Sequence, residues 1–181
     1  MKIISGKYKG RVLEGFDIAG TRPTMDRVKE SVFAMIQTWL EDAIVLDLFA
    51  GSGNLGIEAL SEGAKEIYLV DKNKKACQVM KRNLDKIGVS ENVIFYGDYK
   101  KALDNYKNQS IKFDIIFLDP PYQTDLVEKS IEIIEKEELL SKDGIIVAES
   151  NSIDKIIFSK GLKMIKSKKY GDKVVAILQQ L

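Results

Sequence analysis

Between residues 44 and 149 the chain alternates short β-branched runs with helical apolar stripes, and this alternation is the strongest constraint on its fold. The runs lie at 44–49, 67–71, 93–96, up to Asp119, and 145–149. Between them the spacing predicts a helix ending near Glu62, one carrying Ala76, Val79, Met80, Leu84 and Ile87 on one face, a short one near 99–106, and one over about 126–139. Gly63 and Gly88 stand where helices stop. Strands alternating with helices imply an α/β fold with a doubly wound, largely parallel sheet. The end of the chain differs: residues 162–167 and 174–178 flank Tyr170-Gly171-Asp172-Lys173, a connection short enough only for antiparallel neighbours. The sheet is therefore expected to be mixed.

Chemistry is expected at Phe113-Asp114-Ile115-Ile116-Phe117-Leu118-Asp119-Pro120-Pro121-Tyr122. The run reads as a strand covered on both faces, and the prolines, lacking an N–H, end it. Proline fixes its own φ and keeps the preceding residue extended, so the Pro120 carbonyl points in a constrained direction beside the Asp119 carboxylate. Two converging acceptors suit an amino group on a planar ring, which offers two hydrogens but whose lone pair is delocalised. Tyr122 is placed to stack on that ring. As such a nitrogen pyramidalises, positive charge builds on its N–H groups, and fixed acceptors stabilise that state more than the ground state.

The first run leads into Asp47-Leu48-Phe49-Ala50-Gly51-Ser52-Gly53-Asn54-Leu55-Gly56, a G-x-G-x-x-G turn opening a helix, with Asp71 at the end of the next strand. A dinucleotide would lay a pyrophosphate on that turn. Here Asp47 precedes the glycines, Asp98 ends the third strand and Asp119 the fourth, so the expected crevice is rimmed by carboxylates that repel a pyrophosphate. S-adenosylmethionine carries a sulfonium and an ammonium, which acidic walls favour, and its ribose hydroxyls can donate to Asp71.

With 181 residues the chain holds one core; residues 1–40 are expected as an N-terminal hairpin and helix and 41–181 as the main domain. Its 28 basic and 27 acidic side chains announce no nucleic-acid partner, so such a site must be local. The absence of histidine removes histidine-ligated metals and histidine triads, and the single Cys77, expected as packing, fits a reducing cytoplasm. No run reaches membrane-spanning length. Lys7, Lys9 and Arg11, around Gly6 and Gly10, suggest a small basic hairpin that could face RNA. Val28, Val32, Met35, Ile36, Trp39 and Leu40 predict a helix with Thr24 as N-cap, and Arg22, Arg27 and Lys29 cluster near its start, able to hold a phosphate or to face water. Lys163, Lys166, Lys168 and Lys169 read as a solvated face.

Together these segments resemble the class I S-adenosylmethionine-dependent methyltransferases, and within them the RsmD-like enzymes that methylate the guanine N2 amine of small-subunit (16S) ribosomal RNA. The resemblance is carried by Ile3-Ile4-Ser5-Gly6 with Lys9-Gly10-Arg11, Arg22-Pro23-Thr24-Met25-Asp26-Arg27-Val28-Lys29-Glu30, the cofactor turn, Asp119-Pro120-Pro121-Tyr122 and Tyr170-Gly171-Asp172. It implies a seven-stranded sheet of order 3-2-1-4-5-7-6, Asp71 on the ribose, Asp98 near the adenine, Asp47, Phe49, Gly51 and Gly53 around S-adenosyl-L-methionine, and Asp119 with Pro120 holding the amine. It also implies ribosomal RNA, free or in a small-subunit assembly particle, as partner of a monomeric, metal-free, cytoplasmic enzyme. Ser5 stands where a second glycine is usual and Asn54 where a small apolar residue is usual. From the residues alone, an adenine N6 or glutamine amino methyltransferase and a non-catalytic nucleotide-binding module stay open.

Overall fold

The computed structural model describes residues 1–16, 24–121 and 125–181. Helix α1 (Thr24–Ile36) leads through a 3-10 turn (Gln37–Trp39) to strand β1 (Ile44–Asp47). Then follow α2 (Asn54–Ser61), β2 (Glu66–Asp71), α3 (Lys74–Ile87), β3 (Ile94–Tyr96), α4 (Tyr99–Asn108), β4 (Phe113–Leu118), α5 (Leu126–Lys136), β5 (Leu140–Ser150), β6 (Leu162–Tyr170) and β7 (Lys173–Gln180). They form one 7-stranded sheet of order β3-β2-β1-β4-β5-β7-β6, as the resemblance implied. β7 runs antiparallel to both neighbours, and Gly171 (φ 61) takes the first central place of the two-residue turn that joins it to β6.

Alternation along each strand divides the core by face. Val45, Ile115, Ile145 and Ile177 pack with α1, α2 and α3, while Leu46, Ile116, Ile146 and Leu178 pack with α4 and α5. Register puts Asp47 beside Phe117, and Phe117 beside Val147. The residues two further along, Asp119 and Glu149, therefore emerge on the same face as Asp47, the side that α1 covers. Among the described residues, no helix is long and apolar enough to cross a membrane.

Four details depart from the sequence-based expectations. Thr24, expected to cap α1, is its first residue. The buried stripe of that helix is Lys29, Val32, Phe33 and Ile36, one position round from the predicted one, with Val28 and Met35 only partly covered. α5 ends at Lys136 rather than near 139, because Glu138 turns to φ 50 and Leu139 N–H closes on the Ile134 carbonyl at 3.0 Å. β5 begins five residues earlier than 145, at Leu140; its polar start is held where Ser141 Oγ donates to Asp114 Oδ1 at 2.5 Å, with a register shift in the β4 pairing.

The basic hairpin is reduced to a single antiparallel bridge, Lys2 with Val12. Ile3 N–H still donates to the Arg11 carbonyl at 3.0 Å and Leu13 N–H to the Met1 carbonyl at 2.9 Å, and α2 satisfies much of the rest of its backbone. Ile4 and Ser5 N–H groups donate to Glu58 Oε1 at 2.8 and 3.0 Å, Lys7 N–H to the Ser61 carbonyl at 2.7 Å, and Tyr8 N–H to Ser61 Oγ at 2.9 Å. The approach is close enough that a Cβ on Gly6 would lie 1.7 Å from the Ser61 oxygen. Ile3 and Leu13 from this segment are buried in the core beneath α1.

Candidate active site

A cavity of about 780 Å³ opens at the carboxyl ends of β1, β4 and β5, under α1, and its wall includes Asp26, Asp47, Phe49, Asn54, Asp119 and Glu149. Strand ends meet there because all parallel strands of such a sheet point the same way.

Asp47 is the deepest of these groups, 1% exposed. Its Oδ2 accepts from Gly56 N–H at 3.1 Å, while Oδ1 has no hydrogen-bond partner among the described residues. Burial pushes its carboxyl up to about 7 against the opposing Gly56 hydrogen bond, with Asp71 adding a smaller upward push. The glycine turn is shaped by close packing. Gly53 (φ 80) begins α2 in the left-handed region, and a Cβ on Gly56 would meet Leu69 Cδ2 at 2.3 Å. Gly51 N–H donates to Asp71 Oδ2 at 2.9 Å, and Asn73 N–H to Asp71 Oδ1 at 2.7 Å, so Asp71 braces the turn from the end of β2. Phe49 lies against Tyr99, ring centroids 5.6 Å apart. Asp98 is exposed, caps α4 by accepting from Lys100 N–H at 2.9 Å, and stands apart from the cavity wall.

Asp119 is half-buried at the end of β4. Desolvation, Glu149 and Asp47 all push its carboxyl above the usual carboxylate range, and Lys173 pulls the other way. Pro120 behind it is buried, whereas Tyr122 lies outside the described residues. Lys173, at the start of β7, donates to and ion-pairs with Glu149.

The predicted cations divide. Lys7, Lys9 and Arg11 are exposed; Lys7 Nζ and Arg11 Cζ lie 5.3 and 5.4 Å from the Tyr8 ring centre, and Arg11 Nη1 donates to the Lys86 carbonyl at 2.6 Å. Arg27 is exposed on α1, and Arg22 falls outside the described residues. Lys29 corrects the expectation of a phosphate-holding or solvated cation. It is 3% exposed, pairs with Glu58 at 2.5 Å, and donates to the Lys2 carbonyl and Asn54 Oδ1, each at 2.9 Å.

Two functional candidates, Glu149 and Asn83, were missed from sequence, and Lys29 was misread. Glu149 ends a strand beside Asp119, so the strand-end logic that singled out Asp47, Asp98 and Asp119 applied to it equally. Lys29 falls three residues before Val32 on the buried stripe of α1, which was the signal that it points inward. Asn83 carries no sequence signal; its Nδ2 donates to the carbonyls of Glu14 and Ser52 at 3.0 and 2.9 Å, tying the N-terminal segment to the glycine turn.

The family model for "Conserved hypothetical protein 95" matches residues 1–179. YlbH of Bacillus subtilis is 39% identical over 182 residues, covering 99% of each chain. "Ribosomal RNA small subunit methyltransferase D" of Buchnera aphidicola subsp. Acyrthosiphon pisum is 34% identical over 166 residues, 92% of this chain and 86% of its own. The solved structure of yhhF from Escherichia coli superposes with a TM-score of 0.86 at 28% identity, over 99% of this chain and 97% of that one. By this match along nearly its whole length, the chain belongs to the conserved hypothetical protein 95 family, the RsmD-like family that its motifs resemble.

Proposed function

We propose that this chain transfers the methyl group of S-adenosylmethionine to the exocyclic N2 amine of a guanine in small-subunit (16S) ribosomal RNA. The observation that carries this reading is that Asp119, at the head of Asp119-Pro120-Pro121, opens onto the same cavity as Asp47 and the glycine turn. A methyl donor held by the turn and an amine held by Asp119 then share one enclosure, and a close, aligned pair needs no further catalytic group to react in line. The names of relatives such as the Buchnera enzyme support ribosomal RNA as the substrate.

The residues present fit the cofactor. The unpartnered Oδ1 of buried Asp47 calls for a cationic or N–H donor, and the acidic wall disfavours a pyrophosphate. Asp47 and the turn would hold the cationic amino-acid end, Asp71 would reach the ribose from the end of β2, and Phe49 would flank the adenine, whereas Asp98, expected there, caps α4 apart from this cavity. When bound, the cofactor supplies an electrophilic methyl group. Asp119 and the Pro120 carbonyl accept from the two hydrogens of the amine and orient its lone pair, with the base turned out of its stack to reach them and stacked on Tyr122. Residues 1–40, with Lys7, Lys9, Arg11, Arg22 and Arg27, are the RNA-facing arm, and 41–181 the catalytic domain.

The test is a mass-spectrometric nucleoside map of small-subunit RNA, from cells lacking this gene, before and after incubation with the chain and S-adenosylmethionine. New N2-methylguanosine supports the reading; new N6-methyladenosine, or no new nucleoside, overturns it. Asp119→Ala should abolish turnover while calorimetry still registers the cofactor. In a thermal-shift panel S-adenosylhomocysteine should stabilise the chain more than NAD, and the reverse order would mark a dinucleotide-binding module.

A further inference from the structure

Asp119 does not face the cavity alone. Parallel pairing of Leu118 with Ala148 sets the next residues, Asp119 and Glu149, side by side on one face, and antiparallel pairing of Glu149 with Val175 brings the start of β7 alongside. The two carboxyl groups thus adjoin at neighbouring strand ends, and Lys173 pairs with Glu149. Two adjoining carboxylates that gain one proton can share it, since the protonated oxygen donates to an ionised oxygen of its neighbour. All three side chains line the cavity.

We propose that Glu149, held by Lys173, is the positioning residue of Asp119, and that the two carboxyl groups act as one proton-sharing unit which takes up the proton released on methylation. This rests on the amine-methylation reading. As the nitrogen–carbon bond forms and the carbon–sulfur bond breaks, the sulfur keeps the bonding pair and leaves neutral, and the nitrogen carries the positive charge. It sheds one N–H proton to Asp119; the proton is shared with Glu149 and passes to water at the cavity mouth. Glu149 thus makes Asp119 a better resting place for a proton than an isolated carboxylate, while Lys173 keeps the pair from holding that proton permanently. Among the described residues, the other titratable or charged groups on this cavity wall are Asp47 from β1, Asp26 and Lys29 from α1, Tyr170 from β6, and Glu14 and the Met1 amino group from the N-terminal segment; the chain has no histidine.

The test is the pH dependence of kcat/KM for methyl transfer by the full chain and two variants of opposite sign. Lys173→Met removes the cation, so the acidic limb should move to higher pH. Glu149→Gln keeps a hydrogen-bonding group beside Asp119 but removes its charge, so the limb should move to lower pH. Each shift should be about one pH unit, the lower end of what a neighbouring charge produces, and about tenfold in rate on the limb. Glu149→Asp should restore much of the wild-type profile. Opposite shifts support the unit, because loss of packing alone scales the rate without moving the limb. Profiles of unchanged shape, or shifts in one common direction, would overturn it. Failure of the wild-type chain to make the methylated amine would instead defeat the amine reading on which the unit rests.

Discussion

Lys29 and Glu58 form an ion pair at 2.5 Å inside the protein, their side chains 2% and 0% exposed, and between them they join three parts of the chain. Lys29 reaches from α1 to the Lys2 carbonyl and to Asn54, the residue that follows the last glycine of the G-x-G. Glu58, on α2, accepts from the amides of Ile4 and Ser5 with its other oxygen. The basic arm and the glycine turn thus share one buried charge pair.

Removing one partner leaves the other charge buried and uncompensated, which costs about 3–5 kcal/mol. Lys29→Met should therefore lower the unfolding free energy by that order in a urea titration. The double variant Lys29→Met with Glu58→Gln should recover part of the loss, since the Gln oxygen can still accept one arm amide. Glu58→Ala should in addition speed hydrogen exchange at Ile4 and Ser5 well before global unfolding. Unchanged exchange at those two amides would show that the arm is held by its apolar packing alone.

Asp47 makes stability depend on pH in a definite direction. Its carboxyl is raised from 3.8 unfolded to about 7 folded. Between these values the folded chain binds more protons than the unfolded one, so this contribution to stability is fully present below pH 3.8, falls as pH rises, and is gone above about 7. The fall amounts to about 4 kcal/mol at most, from 1.36 kcal/mol per pH unit. Asp47→Asn should be more stable than the parent at pH 8, lose most of the difference at pH 4, and bind S-adenosylmethionine more weakly. Parallel stability–pH curves for the two proteins would refute the assignment.

Gly56 is required by close packing. A Cβ there would sit 2.3 Å from Leu69 Cδ2 and 3.5 Å from Asp47 Cβ. Gly56→Ala should cost about 1–3 kcal/mol through overpacking and displace the amide that Asp47 accepts from. Leu69→Ala alone creates a void, yet combined with Gly56→Ala it should restore both thermal stability and cofactor affinity beyond additivity. Additive losses would mean that the clash is relieved elsewhere.

How far the site could be read from sequence followed the physics of each element. Parallel strands bury both faces, so their apolar runs and terminal aspartates stood out; Asp47 and Asp119 line the cavity, whereas Asp71 stands outside its lining and accepts from the Gly51 and Asn73 amides. Asp98 occupies its strand end too, but as a helix cap on the surface, since a short aspartate followed by a helix satisfies that helix's free N–H groups whatever else it does. Lys29 was misread because a lysine two residues after Arg27 looks like part of a charged patch; only its phase relative to Phe33 and Ile36 places it inside. Glu149 and Lys173 meet through an antiparallel strand inserted between β5 and β6, a long-range pairing that no local pattern carries.

The exposed cations of the arm should report on RNA through salt. Every phosphate that a variant no longer neutralises lowers the slope of log K against log salt by about 0.7 for single strands and 0.9 for duplex. Lys7 and Lys9 are exposed, while Arg11 is already engaged by the Lys86 carbonyl. Lys7→Ala with Lys9→Ala should therefore weaken RNA binding and flatten the slope by roughly 1.4 to 1.8 units. Arg11→Ala should flatten it by less and lower thermal stability, because that side chain also ties the arm to the end of α3. If the double lysine variant leaves both affinity and slope unmoved, the RNA runs over another face; with Arg27 the remaining exposed cation on α1, Arg27→Ala should then carry the loss.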